Sequence, residues 1–208
     1  AAAQHSQMLD SIFTHIPGLK VVMPSNAYDA KGLLIQAIRE DDPVIFLEHK
    51  TLYDTEADVP DDAYTIPFGE ADIVRDGDDL TVVAFSAMVP RCKAVAEKLA
   101  KEGISIEVID PRTTSPLDEA TILESVERTG RLVVVNEDTP RCSMATDIAA
   151  LVADKGFYSL RAPIRRVTAP HTPVPFSPVL EDLYVPSTER IEAAIRASLG
   201  DPARIAAQ

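Results

Sequence analysis

Apolar positions in this chain follow two alternating rhythms. Short continuous runs of β-branched residues are separated by longer stretches in which apolar side chains return every third or fourth place. Residues 18–23 form one short run, closed by Pro24, and Ser25 or Asn26 stands where a helix cap is needed. Through 27–40, Ala30, Leu33, Leu34, Ala37 and Ile38 recur at helical spacing and predict one amphipathic helix. Asp42-Pro43 ends it, and the apolar run 44–47 predicts a strand buried on both faces, half of a βαβ unit.

The rhythm stops at His49. Residues 49–67 are rich in Asp, Glu, Pro and Tyr with no apolar period, and read as an interdomain linker. Beyond it, 71–74 and 80–85 flank Asp76-Gly77-Asp78-Asp79 and predict two strands paired through that turn. A helix over 88–101 carries Val89, Cys92, Val95, Ala96 and Leu99 on one face, Gly103 closes it, and 104–109 alternates like a strand. The stretch 111–118 reads as a loop ending in Asp118, the cap of a helix that runs to about Gly130. A strand at 132–135, a helix at 143–154, a strand at 164–168, a proline-rich segment at 170–178 and a helix at 189–199 complete the pattern, with a frayed tail from Gly200. Strands alternating with helices predict an α/β fold with a mostly parallel sheet.

Composition narrows the function. The 208 residues, 46% of them hydrophobic, suffice for one large core or two modest ones. A net charge of −13 argues against nucleic acid and against an anionic membrane, both themselves negative, and leaves room for a basic protein partner. No apolar run approaches the roughly 20 residues that span a bilayer, and no signal pattern opens the chain, so cytoplasm or an organelle matrix fits. Cys92 and Cys142 lack metal or redox spacing and read as buried thiols.

No phosphate loop, dinucleotide fingerprint, zinc motif or nucleophile elbow is present. His5, flanked by Gln4, Ser6 and Gln7, is the candidate for acid–base chemistry. His15, His49 and His171 read as structural. Glu40, Asp41 and Asp42 crowd a helix C-terminus, where the dipole is already negative, and are either solvated or hold a cation. Glu137-Asp138 follows a strand at the sheet edge where ligands bind in such folds, and reads as a solvated loop. The polar cluster at residues 4–7 leads straight into an apolar helix and a strand, so the first residues read as a cut edge.

Several of these runs, taken in order, carry a resemblance: Gln4-His5-Ser6-Gln7, His15-Ile16-Pro17-Gly18-Leu19-Lys20-Val21-Val22, Tyr28-Asp29-Ala30-Lys31-Gly32-Leu33-Leu34, Asp42-Pro43-Val44-Ile45-Phe46-Leu47-Glu48, Ile109-Asp110-Pro111-Arg112-Thr113-Thr114-Ser115-Pro116-Leu117-Asp118 and Thr172-Pro173-Val174-Pro175-Phe176. The chain resembles, over nearly its whole length, the beta subunit of thiamine-diphosphate-dependent 2-oxo acid dehydrogenases. It leans to the pyruvate and acetoin branch, and the runs 110–118 and Pro140-Arg141-Cys142-Ser143 favour acetoin.

The resemblance implies residues 1–62 as the C-terminal part of a pyrimidine-binding domain with its linker. It implies residues 63–208 as a transketolase C-terminal-like three-layer α/β domain. The family's glutamate that activates the aminopyrimidine would lie upstream of Ala1. His5 falls on the family's active-site histidine, at the bottom of the substrate channel, where it assists transfer to a lipoyl group. Thiamine diphosphate and magnesium would be held mainly by an alpha subunit, while this subunit covers the aminopyrimidine ring. A structural potassium ion would sit on carbonyls at Ala37, Ile38, Glu40 and Asp42. The implied partners are the alpha subunit, a second beta subunit across a two-fold axis, and the basic subunit-binding domain of a dihydrolipoyl acyltransferase. A branched-chain 2-oxo acid dehydrogenase, a transketolase or deoxyxylulose-phosphate synthase, and a non-catalytic assembly domain stay open as alternatives.

Overall fold

The computed structural model describes residues 5–200. A short helix α1 (Asp10–Thr14) leads into β1 (Lys20–Val22), whose Val21 and Val22 are fully buried. Asn26 caps α2 (Ala27–Arg39), its side-chain oxygen accepting the Asp29 amide at 2.9 Å, and β2 (Val44–Phe46) follows. Then come β3 (Asp72–Arg75), β4 (Leu80–Ala84), α3 (Met88–Ala100), β5 (Ile106–Asp110), β6 (Thr113–Ser115) and α4 (Glu119–Thr129). The chain continues through β7 (Leu132–Val135), α5 (Met144–Lys155), β8 (Arg165–Val167), α6 (Pro178–Tyr184) and α7 (Thr188–Leu199). Asp118 caps α4 as its position predicts.

The larger sheet runs β3-β5-β4-β7-β8, all parallel except the edge strand β3. Alternation along its central strands divides the core. Val82, Ala84, Val108, Val133 and Val135 face α3 and α7, while Val83, Ile109, Leu132 and Val134 face α4 and α5. Helices on both faces explain why β4 and β7 read as continuous apolar runs.

Three predicted features take a different form. β3 and β4 are not a hairpin, because β5 lies between them and pairs with both. The connecting turn crosses the start of β5 so closely that a Cβ on Gly77 would meet the Ile106 carbonyl carbon at 2.1 Å, which only glycine allows. The supposed loop 111–118 contains β6, which pairs antiparallel with β1 and makes the smaller sheet β2-β1-β6. A strand from beyond residue 62 therefore completes the sheet that begins before it. As an edge strand of that small sheet, β2 is half-buried, in contrast to the two-faced burial its apolar run suggests.

The supposed linker also packs. Lys50–Leu52 forms a 3-10 turn, Ile66 is buried with Val22 and Leu33, and the Tyr64 ring stacks on Tyr28 at 4.6 Å. Gly32 on α2 makes room for Tyr64 and Ile66, where a Cβ would come within 2.7 Å of both. Cys92 is buried in the larger core as expected, but Cys142 is exposed in the turn before α5.

The turn from β5 to β6 joins the two sheets by charge as well as by backbone. Arg112, in the left-handed region at φ 61°, accepts the Met23 amide on its carbonyl at 2.8 Å and donates its own amide to Asp110 Oδ1 at 2.9 Å. Its guanidinium reaches the fully buried Asp29 of α2 at 2.8 Å and Asp72 of β3 at 3.4 Å. Burial pushes the Asp110 carboxyl up to about 7, with the Asp29 charge adding to the rise and Ser25 and Arg112 opposing it. Replacing Arg112 by Ala leaves Asp29 as an unpaired buried charge, so it should cost about 3–5 kcal/mol. A urea-denaturation comparison of the complete protein checks this, and an unchanged midpoint would count against the bridge.

Candidate functional site

Parallel strands carry ligand-binding loops at their carboxyl ends, and here the ends of two sheets meet. β7 leaves its sheet into Asn136, Glu137 and Asp138, which are buried at 0%, 8% and 9% exposure. β2 leaves its own sheet into Leu47, Glu48 and His49. His49 Nδ1 accepts the Thr51 amide at 3.3 Å and lies 2.8 Å from its hydroxyl. That leaves the proton on Nε2, which donates to Glu137 Oε2 at 2.9 Å.

Alongside this pair, Asn136 Nδ2 donates to Asp10 Oδ2 at 2.9 Å, and the Ser11 hydroxyl donates to Asp138 Oδ2 at 2.6 Å. Asp10 is fully buried, and its second oxygen has no hydrogen-bond partner. Burial lifts its carboxyl to about 6, the Asn136 amide opposing and the Asp138 charge adding to the rise.

The His49–Glu137 pair borders an open cleft of about 690 Å³, and the Asn136–Asp10 and Ser11–Asp138 bonds lie behind it. Its walls include His5, Phe13, Phe46, Glu48, His49 and Glu137. His5 is exposed, with a left-handed backbone at φ 61°. Just after the 3-10 turn, Tyr53 donates its hydroxyl to Glu48 Oε2 at 2.7 Å, and that carboxylate raises the phenol's pKa. The cleft thus combines an aromatic wall with imidazoles and carboxylates, a set that can enclose a heterocycle and move protons beside it.

The structure brings His5 together with His49 and Glu137, and does not bring His15 or His171 to the cleft. His49 is more than a linker residue, and Glu137 and Asp138 are not solvated. Their position just after parallel strands was the signal available in the sequence; their burial depends on packing between two sheets. Asp10 gave no signal at all, being one acid at the start of a short helix.

Ala37, Ile38, Glu40 and Asp42 lie at the C-terminal end of α2, beside the first residues of β1 and β2 and so at the opposite edge of the small sheet. There Lys20 supplies the counter-ion, its ammonium contacting Glu40 and lying 3.2 Å from Asp42. Among the described residues no cluster of three or more His, Cys, Asp or Glu could hold a metal ion, and no helix is long and apolar enough to cross a membrane.

Comparison with known proteins agrees with this architecture. The family model for the transketolase C-terminal domain matches residues 69–191, and that for the transketolase pyrimidine-binding domain matches residues 1–56. The chain belongs to the transketolase C-terminal domain family. It is 64% identical, over 96% of its length, to the beta subunit of acetoin:2,6-dichlorophenolindophenol oxidoreductase of Cupriavidus necator. It is 58% identical, over 98% of its length, to the subunit of that name in Bacillus subtilis. It spans 59% of the length of each of these relatives. A solved structure described as a split-gene transketolase, inactive beta4 tetramer, shares the fold, with a TM-score of 0.80 at 22% identity over 95% of this chain and 63% of that one.

The raised Asp10 carboxyl makes a pH prediction. Well below its ordinary pKa of 3.8 Asp10 is protonated in both folded and unfolded chains; as pH rises through that value the unfolded chain ionises first, and stability falls until the folded carboxyl also ionises near 6. Asp10→Asn removes that loss. The variant's advantage in unfolding free energy should therefore grow between pH 4 and 6 to at most about 3 kcal/mol and stay level above pH 7. Denaturation curves of both proteins across that range check it; a constant difference would mean that Asp10 does not titrate as described.

Proposed function

We propose that this chain is part of the beta subunit of a thiamine-diphosphate-dependent dehydrogenase of acetoin or a 2-oxo acid such as pyruvate, with acetoin favoured. The subunit takes part in cleaving the substrate and in reductive acylation of the lipoyl group of an acyltransferase core. The observation that carries the reading is the cleft at the carboxyl ends of two sheets, where His5 stands near a fixed His49–Glu137 pair. The names of both bacterial relatives, which contain acetoin, support the substrate. Residues 1–62 then belong to the pyrimidine-binding domain and 63–208 to the transketolase-like domain, in a protein of the bacterial cytoplasm.

The groups on this chain suit the organic rings of thiamine diphosphate. Phe13 and Phe46 offer apolar wall, and Glu48 offers a hydrogen-bond acceptor. The diphosphate and its magnesium would be held by the alpha subunit. When bound, the cofactor supplies the carbon nucleophile and electron sink that cleavage next to a carbonyl requires. His5 supplies the proton chemistry: its imidazole donates to a developing oxyanion when charged and accepts a proton when neutral. His49 and Glu137, each fixing the other, line the wall without a free imidazole nitrogen.

Assembly follows from charge and from family. The transketolase-like domain would pair with a second beta subunit, and the net charge of −13 suits the basic subunit-binding domain of dihydrolipoyl acyltransferase. A potassium ion at the end of α2 would rest on the carbonyls of Ala37, Ile38, Glu40 and Asp42, because Lys20 already neutralises the two carboxylates there.

Three measurements test these readings. The complete beta subunit with its alpha partner should reduce an artificial electron acceptor in a thiamine-diphosphate-dependent manner, with acetoin above pyruvate and branched-chain 2-oxo acids. Cofactor binding without turnover of any of them would favour a non-catalytic assembly role. In the same heterotetramer, His5→Ala should leave cofactor binding intact and depress transfer to lipoyl by about 100-fold or more, in line with the loss of a general acid–base; unchanged turnover removes His5 from the chemistry. Exchanging potassium for sodium should lower the melting temperature of the complete protein, and equal values would dismiss the ion.

A further inference from the structure

Consecutive residues leaving β7 each bond to a segment that adjoins the smaller sheet, α1 or the loop after β2: Asn136 to Asp10, Glu137 to His49, and Asp138 to Ser11. These residues are themselves fixed from behind. The Asn136 amide donates to Val167 O at 3.1 Å, Asp138 O accepts the Ala169 amide at 3.1 Å, and the Thr139 amide donates to Asp138 Oδ1 at 2.6 Å. Ser11 is held from the other side, its hydroxyl oxygen accepting the Met144 amide at 3.2 Å. Two of the three partners, Asp10 and Ser11, open α1, whose first residue lies five positions after His5. A tether of that length spans at most about 17 Å when extended. Pinning α1 therefore bounds where the His5 imidazole can stand.

We propose that Asn136, Glu137 and Asp138 are positioning residues for His5: they clamp α1 and the His49 imidazole to the edge of the larger sheet and so set the place of His5 in the cleft. The proposal rests on the reading that His5 touches the substrate. It assigns a role to residues outside the pyrimidine-binding segment, so that the second domain tunes a group carried by the first.

The test is a swap of one bond in the complete heterotetramer at pH 8. Asn136→Asp places a second carboxylate against ionised Asp10, whereas the double variant Asp10→Asn with Asn136→Asp restores one amide donor and one carboxylate acceptor in reversed order. The single variant should speed amide hydrogen exchange in residues 10–14 and lower kcat for lipoyl transfer by about 10- to 100-fold, the cost of a misplaced reacting group. KM for substrate and affinity for thiamine diphosphate should not change. The double variant should recover both exchange protection and kcat. Glu137→Gln, a neutral isostere, serves as a second variant and should lower kcat without changing KM.

Wild-type exchange and kcat in Asn136→Asp, or no recovery in the double variant, would overturn the clamp. A loss of melting temperature with kcat preserved would reduce it to a structural contact. Should the wild-type complex show no thiamine-dependent turnover, the proposed activity falls, and the exchange comparison alone decides whether the clamp holds the His5 segment.

Discussion

A carboxylate taken out of water must be paired, hydrogen-bonded or protonated, and this molecule places several of them on the seam between its two sheets. Asp29 meets Arg112, Glu137 meets His49, and Asp138 meets Ser11. In Asp10 and Asp110 burial outweighs the hydrogen bonds they accept, and their pKa values rise. Because each bond needs a group from the other side, the two sheets share one set of polar requirements. Apolar contact alone would let them slide, whereas hydrogen bonds at fixed geometry set one relative position.

That seam has two ends with different work. At one end the turn through Arg112 returns the chain to the smaller sheet as β6, joining backbone to backbone. At the other end, the residues after β7 meet α1 and His49 beside the cleft. The first sets the overall register of the sheets. The second sets side chains near the candidate chemistry. A site built on strand ends and backed by the sheet's own hydrogen bonds has little freedom to drift, which is the condition that acid–base transfer at a fixed distance demands.

Charge is partitioned in the same spirit. Surface pairs such as Lys155 with Glu119 sit on the outer sides of α5 and α4 and contribute little individually. Lys20 with Glu40 and Asp42 relieves the negative end of α2, where carbonyl dipoles and carboxylates would otherwise add. Glu107, buried on β5, is met by Arg128 of α4. The remaining excess of negative charge lies outward, where water carries it.

The sequence by itself determined the alternation of strands and helices, a cap at Ser25 or Asn26 and another at Asp118, and the apolar face of α3, because local periodicity and capping act over a few residues. Only the tertiary structure decided that β5 separates β3 from β4, that Thr113–Ser115 joins the first sheet, that 49–67 packs, and that His49, Glu137 and Asp10 belong to one seam. Strand order and the pairing of distant polar groups depend on which surfaces meet in space. A polar residue in a short segment reads the same whether water or a buried partner faces it, so its role is fixed only when the two sheets come together.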